Sequence, residues 1–126
     1  MTSKTKRGAA YSADELAATA AAYLTMAVGQ YAGQKVNKAA LTRELQAGVC
    51  ADRSRGSLDA KFMNYSAVAV DHGLLPGLPF GYVKGYKPAP NYQRAMVEAL
   101  RDAVGHAMAE AVKGGFERTL RDIAAA

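Results

Sequence analysis

Every proline in the chain lies between Pro76 and Pro90, and residues 73 to 90 also hold four of its twelve glycines. Proline removes a backbone donor and collides with the preceding helical turn, so no ordinary helix crosses such a segment. The chain is thereby divided into a block before Gly73 and a block after Pro90, each rich in alanine and each patterned for helices. With 126 residues, half of them apolar, the two blocks fit one domain with one core, spanning residues 11–126 behind a flexible basic tail at 1–10.

The first block opens with Ser12-Ala-Asp-Glu15, in which the serine hydroxyl caps the third helical amide and the glutamate reaches back to the serine amide. Leu16, Ala20, Tyr23, Leu24, Ala27 and Val28 then recur at spacings of three and four, predicting a helix over about 13–30. Asn37 is a good cap for a second helix carrying Leu41, Leu45 and Val49 on its inner face and stopping by Cys50. Ser57 offers a cap to a third, with Leu58, Phe62, Tyr65 and Ala69 inward and Gly73 as its left-handed terminator. Phe80 to Lys87, turning at Lys84-Gly85, allows a short β-hairpin, a wing carrying two lysines. A long helix is expected from about Asn91 to Val112, its inner stripe formed by Tyr92, Met96, Leu100, Val104, Ala107, Met108 and Ala111. It should break at Gly114-Gly115 before a short terminal helix bearing Phe116 and Leu120. The fold expected is mainly α, a compact bundle of four to five helices with the wing at about 80–87.

Sixteen Lys and Arg against eleven Asp and Glu give a formal charge of +5, and all of that excess falls in residues 35–94. A local concentration of this kind is the electrostatic signature of a polyanion-binding surface. Catalytic chemistry has little to work with. His72 and His106 stand 34 positions apart with no cysteine or carboxylate at ligand spacing, so neither a metal site nor any other cofactor is expected, and no catalytic residue is assigned. Cys50 is the single cysteine, which excludes an internal disulfide and agrees with a cytoplasmic setting. The uncharged run at 16–34 is too rich in alanine, glycine and polar residues for a membrane span.

Two constellations fit DNA. The first is Arg53-Ser-Arg55-Gly-Ser57 at the opening of the third helix, where guanidiniums and helix-start amides suit a phosphate, followed on one side by Lys61 and Asn64, able to reach a phosphate or a base edge. The second interleaves bases, amides and rings at Tyr82, Lys84, Tyr86, Lys87, Pro88, Asn91, Tyr92, Gln93 and Arg94.

Taken together, Arg53-Ser-x-Gly-Ser57, Lys61-Phe-Met-Asn64-Tyr65-Ser66-Ala67-Val, Gly85-Tyr-Lys-Pro88 and Asn91-Tyr-Gln93 resemble a module found ahead of HNH nuclease domains in modification-dependent restriction enzymes. The likeness covers about residues 11–105 and is similar to the sulfur-binding domains that recognise phosphorothioate DNA. It implies a recognition domain, not itself an enzyme, that binds double-stranded DNA and is associated with a separate nuclease domain. Arg53, Arg55, Ser57, Lys61, Asn64, Ser66, Lys84, Lys87, Asn91, Gln93 and Arg94 would then face the DNA. Sulfur is polarizable and a poor hydrogen-bond acceptor, so it requires an apolar surface beside cations, for which Tyr65 and Ala67, or Tyr86 and Pro88, are the candidates. Two alternatives stand beside this reading: a winged-helix or helix-turn-helix transcription factor indifferent to sulfur, and a helical module whose basic surface meets an acidic protein.

Overall fold

The computed structural model describes residues 10–125 and contains four helices, α1 (Ala13–Tyr31), α2 (Lys38–Ala47), α3 (Arg55–His72) and α4 (Arg94–Ala125). The basic tail expected over residues 1–10 lies outside the described residues except for Ala10. α1 is the central element: the first half of α4 packs along it, and α2 and α3 rest against it, with α3 also meeting α4. No helix among the described residues is long and apolar enough to cross a membrane.

α1 begins as its sequence requires. The Ser12 hydroxyl accepts the Glu15 N–H at 3.1 Å, and the Ser12 N–H donates to Glu15 Oε1 at 2.9 Å, closing the capping box. Leu16, Ala20, Tyr23 and Ala27 are buried as expected, Leu24 is half-buried, and Val28 is exposed, because the buried arc turns instead through Thr19 and Met26. α2 is capped by Asn37, whose Oδ1 accepts the Ala40 N–H at 2.9 Å. It ends at Ala47, which takes Val49 off the inner face and leaves it exposed.

α3 starts one turn earlier than expected. Its cap is Ser54, whose hydroxyl accepts the Ser57 N–H at 3.1 Å, so Ser57 belongs to the first turn and Arg55 is the first helical residue. Two serines three positions apart are equivalent as caps in sequence, and the burial of Arg53 beside α1 selects the first of them. Gly73 closes the helix at φ 59° and ψ 39°, a left-handed conformation that costs glycine nothing.

The wing does not form, and no strand occurs among the described residues. The reason lies in where the backbone donors go. The Val83 N–H donates to the Tyr23 hydroxyl at 2.9 Å and the Lys84 N–H to Gln30 Oε1 at 2.8 Å, so side chains of α1 take the donors a hairpin ladder would need. The segment from Leu74 to Gln93 is a series of turns laid over the bundle.

α4 begins at Arg94 and runs unbroken through Gly114-Gly115, a correction to the expected start near Asn91 and to the separate terminal helix. Each glycine costs a helix about 1 kcal/mol relative to alanine, and the surrounding Ala, Glu, Lys, Leu and Arg residues favour it. Met96 and Leu100 are buried and Val104 and Ala107 half-buried, whereas Met108 and Ala111 lie exposed, so the inner stripe ends where α4 leaves the body.

Candidate nucleic-acid interface

Two of the sequence-derived segments are joined by the tertiary structure. The Asn64 side-chain amide donates to the Ala89 carbonyl at 2.8 Å, and the Ala89 N–H donates to the Met63 carbonyl at 3.0 Å. The stretch from Tyr86 to Pro90 is thus strapped to α3 one turn beyond Ala60, which brings Lys87 to the helix that carries Arg55 and Lys61. Asn64 is occupied by this strap.

Along the first two turns of α3, Gly56 and Ala60 are exposed and form a shallow strip of small side chains. At 100° per residue, Arg55 and Asp59 form one edge of that strip and Ser57 and Lys61 the other. Arg55 is well exposed and stands 4.0 Å from the Asp59 carboxylate, a loose surface pair. Beside this edge lies the Tyr86 ring, 5.2 Å from Phe62, with the Lys38 ammonium 4.8 Å above it. Lys38 also donates to the Lys84 carbonyl at 2.5 Å, holding the turn at Lys84-Gly85, where Gly85 adopts φ 98°. Burial pushes the Tyr86 phenol above its ordinary value, Asp59 adds to the rise and Arg55 opposes it.

The other edge is organised by Tyr11. Its hydroxyl shares a 2.6 Å hydrogen bond with Ser57, and its ring carries the Arg53 guanidinium at 3.9 Å and the Lys61 ammonium at 4.7 Å. Half-burial lowers the Lys61 ammonium below the usual lysine value, and the neighbouring Arg53 charge lowers it further. Tyr11 and Lys38 were not legible as site residues. Tyr11 could have been suspected as the large group just before a capping box, but its hydrogen-bond partner Ser57 lies 46 positions away.

Five of the candidate residues are corrected by burial. Arg53 is only 5% exposed. Its Nε donates to Glu15 Oε2 at 2.8 Å, while Nη2 donates to Glu15 Oε1 at 2.9 Å and to the Ala10 carbonyl at 3.0 Å. Those hydrogen bonds hold it charged, above its ordinary value, against the cost of burial. Tyr65 is fully buried, donating to the Leu16 carbonyl at 2.9 Å and paired with the Thr19 hydroxyl. Ser66 is buried against the Tyr23 hydroxyl at 2.8 Å. Ala67 is buried, and Tyr86 nearly so, which leaves Pro88 as the exposed member of the four sulfur-contacting candidates. The causes differ by position: α1 and α4 cover the side of α3 that carries Tyr65, Ser66 and Ala67, Arg53 is drawn onto Glu15 ahead of α3, and Tyr86 packs against Phe62 from the turn segment.

Compared with protein-family models, with curated proteins and with solved structures, the chain matches none.

Lys84, Lys87, Asn91, Gln93 and Arg94 are exposed. Arg94 lies away from the strip, lining a cleft of about 300 Å³ with His72, Tyr92 and Arg101, where Tyr92 donates to Asp71 Oδ2 at 2.7 Å. Among the described residues, no group of His, Cys, Asp and Glu could hold a metal ion.

Proposed function

We propose that the chain is a DNA-recognition module that binds duplex DNA on the first two turns of α3 and reads a backbone phosphorothioate there. The observation that carries the reading is the Asn64–Ala89–Met63 strap, which brings Lys87 and Pro88 to the helix that exposes Arg55, Gly56 and Ala60 and half-exposes Lys61. Cations bordering a strip without long side chains suit a phosphate carrying sulfur. The charge is held by Arg55, Lys61 and Lys87, and the sulfur meets Ala60 and Pro88, where its poor hydrogen-bonding capacity is no disadvantage. Arg53 supports this surface from beneath, through Tyr11, instead of touching DNA. The resemblance to recognition modules of modification-dependent nucleases points in the same direction, and a linked nuclease domain is its implied partner.

The test is a titration of two duplexes of identical sequence, one with a single non-bridging oxygen replaced by sulfur, across several sequence contexts and salt concentrations. Binding that weakens with salt and tightens with sulfur is the expected result. Equal affinity for both duplexes leaves a plain DNA-binding domain, and affinity independent of salt removes nucleic acid as the partner.

A further inference from the structure

Beyond Ala107, α4 continues to Ala125 with its large apolar side chains in water. Met108, Val112, Phe116, Leu120 and Ile123 are 50–72% exposed. Their spacings of four, four, four and three place them on one face, with Glu110, Arg118 and Arg121 on the other. At 100° per residue this stripe is displaced by nearly half a turn from the Met96 and Leu100 stripe that meets α1, so it does not continue the seam of the body. We propose that it is a self-association surface, closed by the same stripe of a second copy running antiparallel.

Three observations favour a second copy. A helical segment of this length, without tertiary contacts and with glycines at 105, 114 and 115, has little helix stability of its own and owes its form to packing. Two facing stripes remove on the order of 1,000 Å² of surface, the lower limit for a specific interface. The charges beside the stripe are also self-complementary. One flank carries Lys113 then Glu117, a base followed four residues later by an acid. Within one helix this order is the weaker orientation of such a pair, and the two form no ion pair with each other among the described residues. Reversed copies centred near residue 115, the midpoint of the stripe, lay this flank against itself, with Lys113 of each copy facing Glu117 of the other.

Sedimentation equilibrium of the 126-residue chain tests the proposal. Twice the chain mass is expected, reduced to one chain mass by Phe116→Glu or Leu120→Glu, exposed positions whose substitution leaves the body folded as judged by its urea transition. Direction is read by oxidative cross-linking, with Cys50 buried and out of reach. Met108→Cys and Ile123→Cys should link to each other when mixed and fail to link to themselves. A chain that stays monomeric at all concentrations overturns the proposal, as does one whose mass is unchanged by both glutamate variants, and self-linked Met108→Cys overturns the antiparallel arrangement.

Discussion

Glu15 and Arg53, separated by 38 residues, form a two-pronged ion pair at 2.8 and 2.9 Å with both side chains almost wholly out of water. The same carboxylate closes the capping box of α1, and the same guanidinium holds the Ala10 carbonyl and lies on Tyr11. One contact therefore fixes the start of α1, the entry to α3 and the underside of the basic strip. Removing one partner leaves a buried charge, which costs about 3–5 kcal/mol. Arg53→Ala and Glu15→Gln should each lower the unfolding free energy read from a urea titration by an amount of that order, so Arg53 acts on stability where the sequence alone counts it among the DNA contacts. A variant melting like the parent would show that the pair contributes nothing.

The Tyr23 hydroxyl joins Ser66 on α3 to the Val83 amide in the turn segment. In Tyr23→Phe the Val83 N–H stays buried without its acceptor, at a cost of about 1–3 kcal/mol. Hydrogen exchange should show faster exchange at Val83 and Lys84 while α1 and α3 remain protected.

Alkaline pH should unfold the domain. Burial raises the phenols of Tyr23 and Tyr65, and the hydrogen bonds of Ser66 and Val83 to Tyr23 and of Thr19 to Tyr65 only partly oppose it. Stability from these neutral phenols is complete below the ordinary tyrosine value near 10 and is lost as pH rises through their higher folded values. Lys61, lowered in the folded state, acts the other way, since its burial cost is relieved as pH rises toward the ordinary lysine value. Two deeply buried phenols outweigh one half-buried ammonium. Urea midpoints should fall above about pH 10, with a shallower fall in Tyr65→Phe.

Arg55→Ala and Lys87→Ala should each weaken duplex binding by about 1–3 kcal/mol and reduce the salt slope by about 1. Both side chains are exposed, so thermal melting should not change. Parent-like affinity in both would move the contact surface off α3.

Pro88→Ser should erase the preference for sulfur, about 1–3 kcal/mol, and leave most of the affinity for ordinary DNA. Ala67→Ser, at a buried position, should act on stability instead. A sulfur preference unchanged by Pro88→Ser would leave Ala60 as the contact.

Local chemistry was enough to place four helices from the sequence, though not the start of α3 or the bounds of α4. The capping box at Ser12 and Glu15, the Asn37 cap, the Gly73 terminator and the proline block each act within a few residues of chain, so their consequences are written locally. What the sequence could not distinguish was which of two equivalent options a distant partner selects. Ser54 and Ser57 are both caps until Arg53 is drawn onto Glu15. Residues 80–87 are a hairpin until Tyr23 and Gln30 take their donors. Arg53, Tyr65 and Ser66 carry surface-type polar groups, and only the neighbours supplied by α1 reveal that those groups are satisfied inside. The joining of the two basic segments had no local signal at all, because the Ala89 backbone that Asn64 binds could be any residue with a carbonyl. Polarity is a property of the residue, but exposure is decided by what the rest of the chain places on top of it.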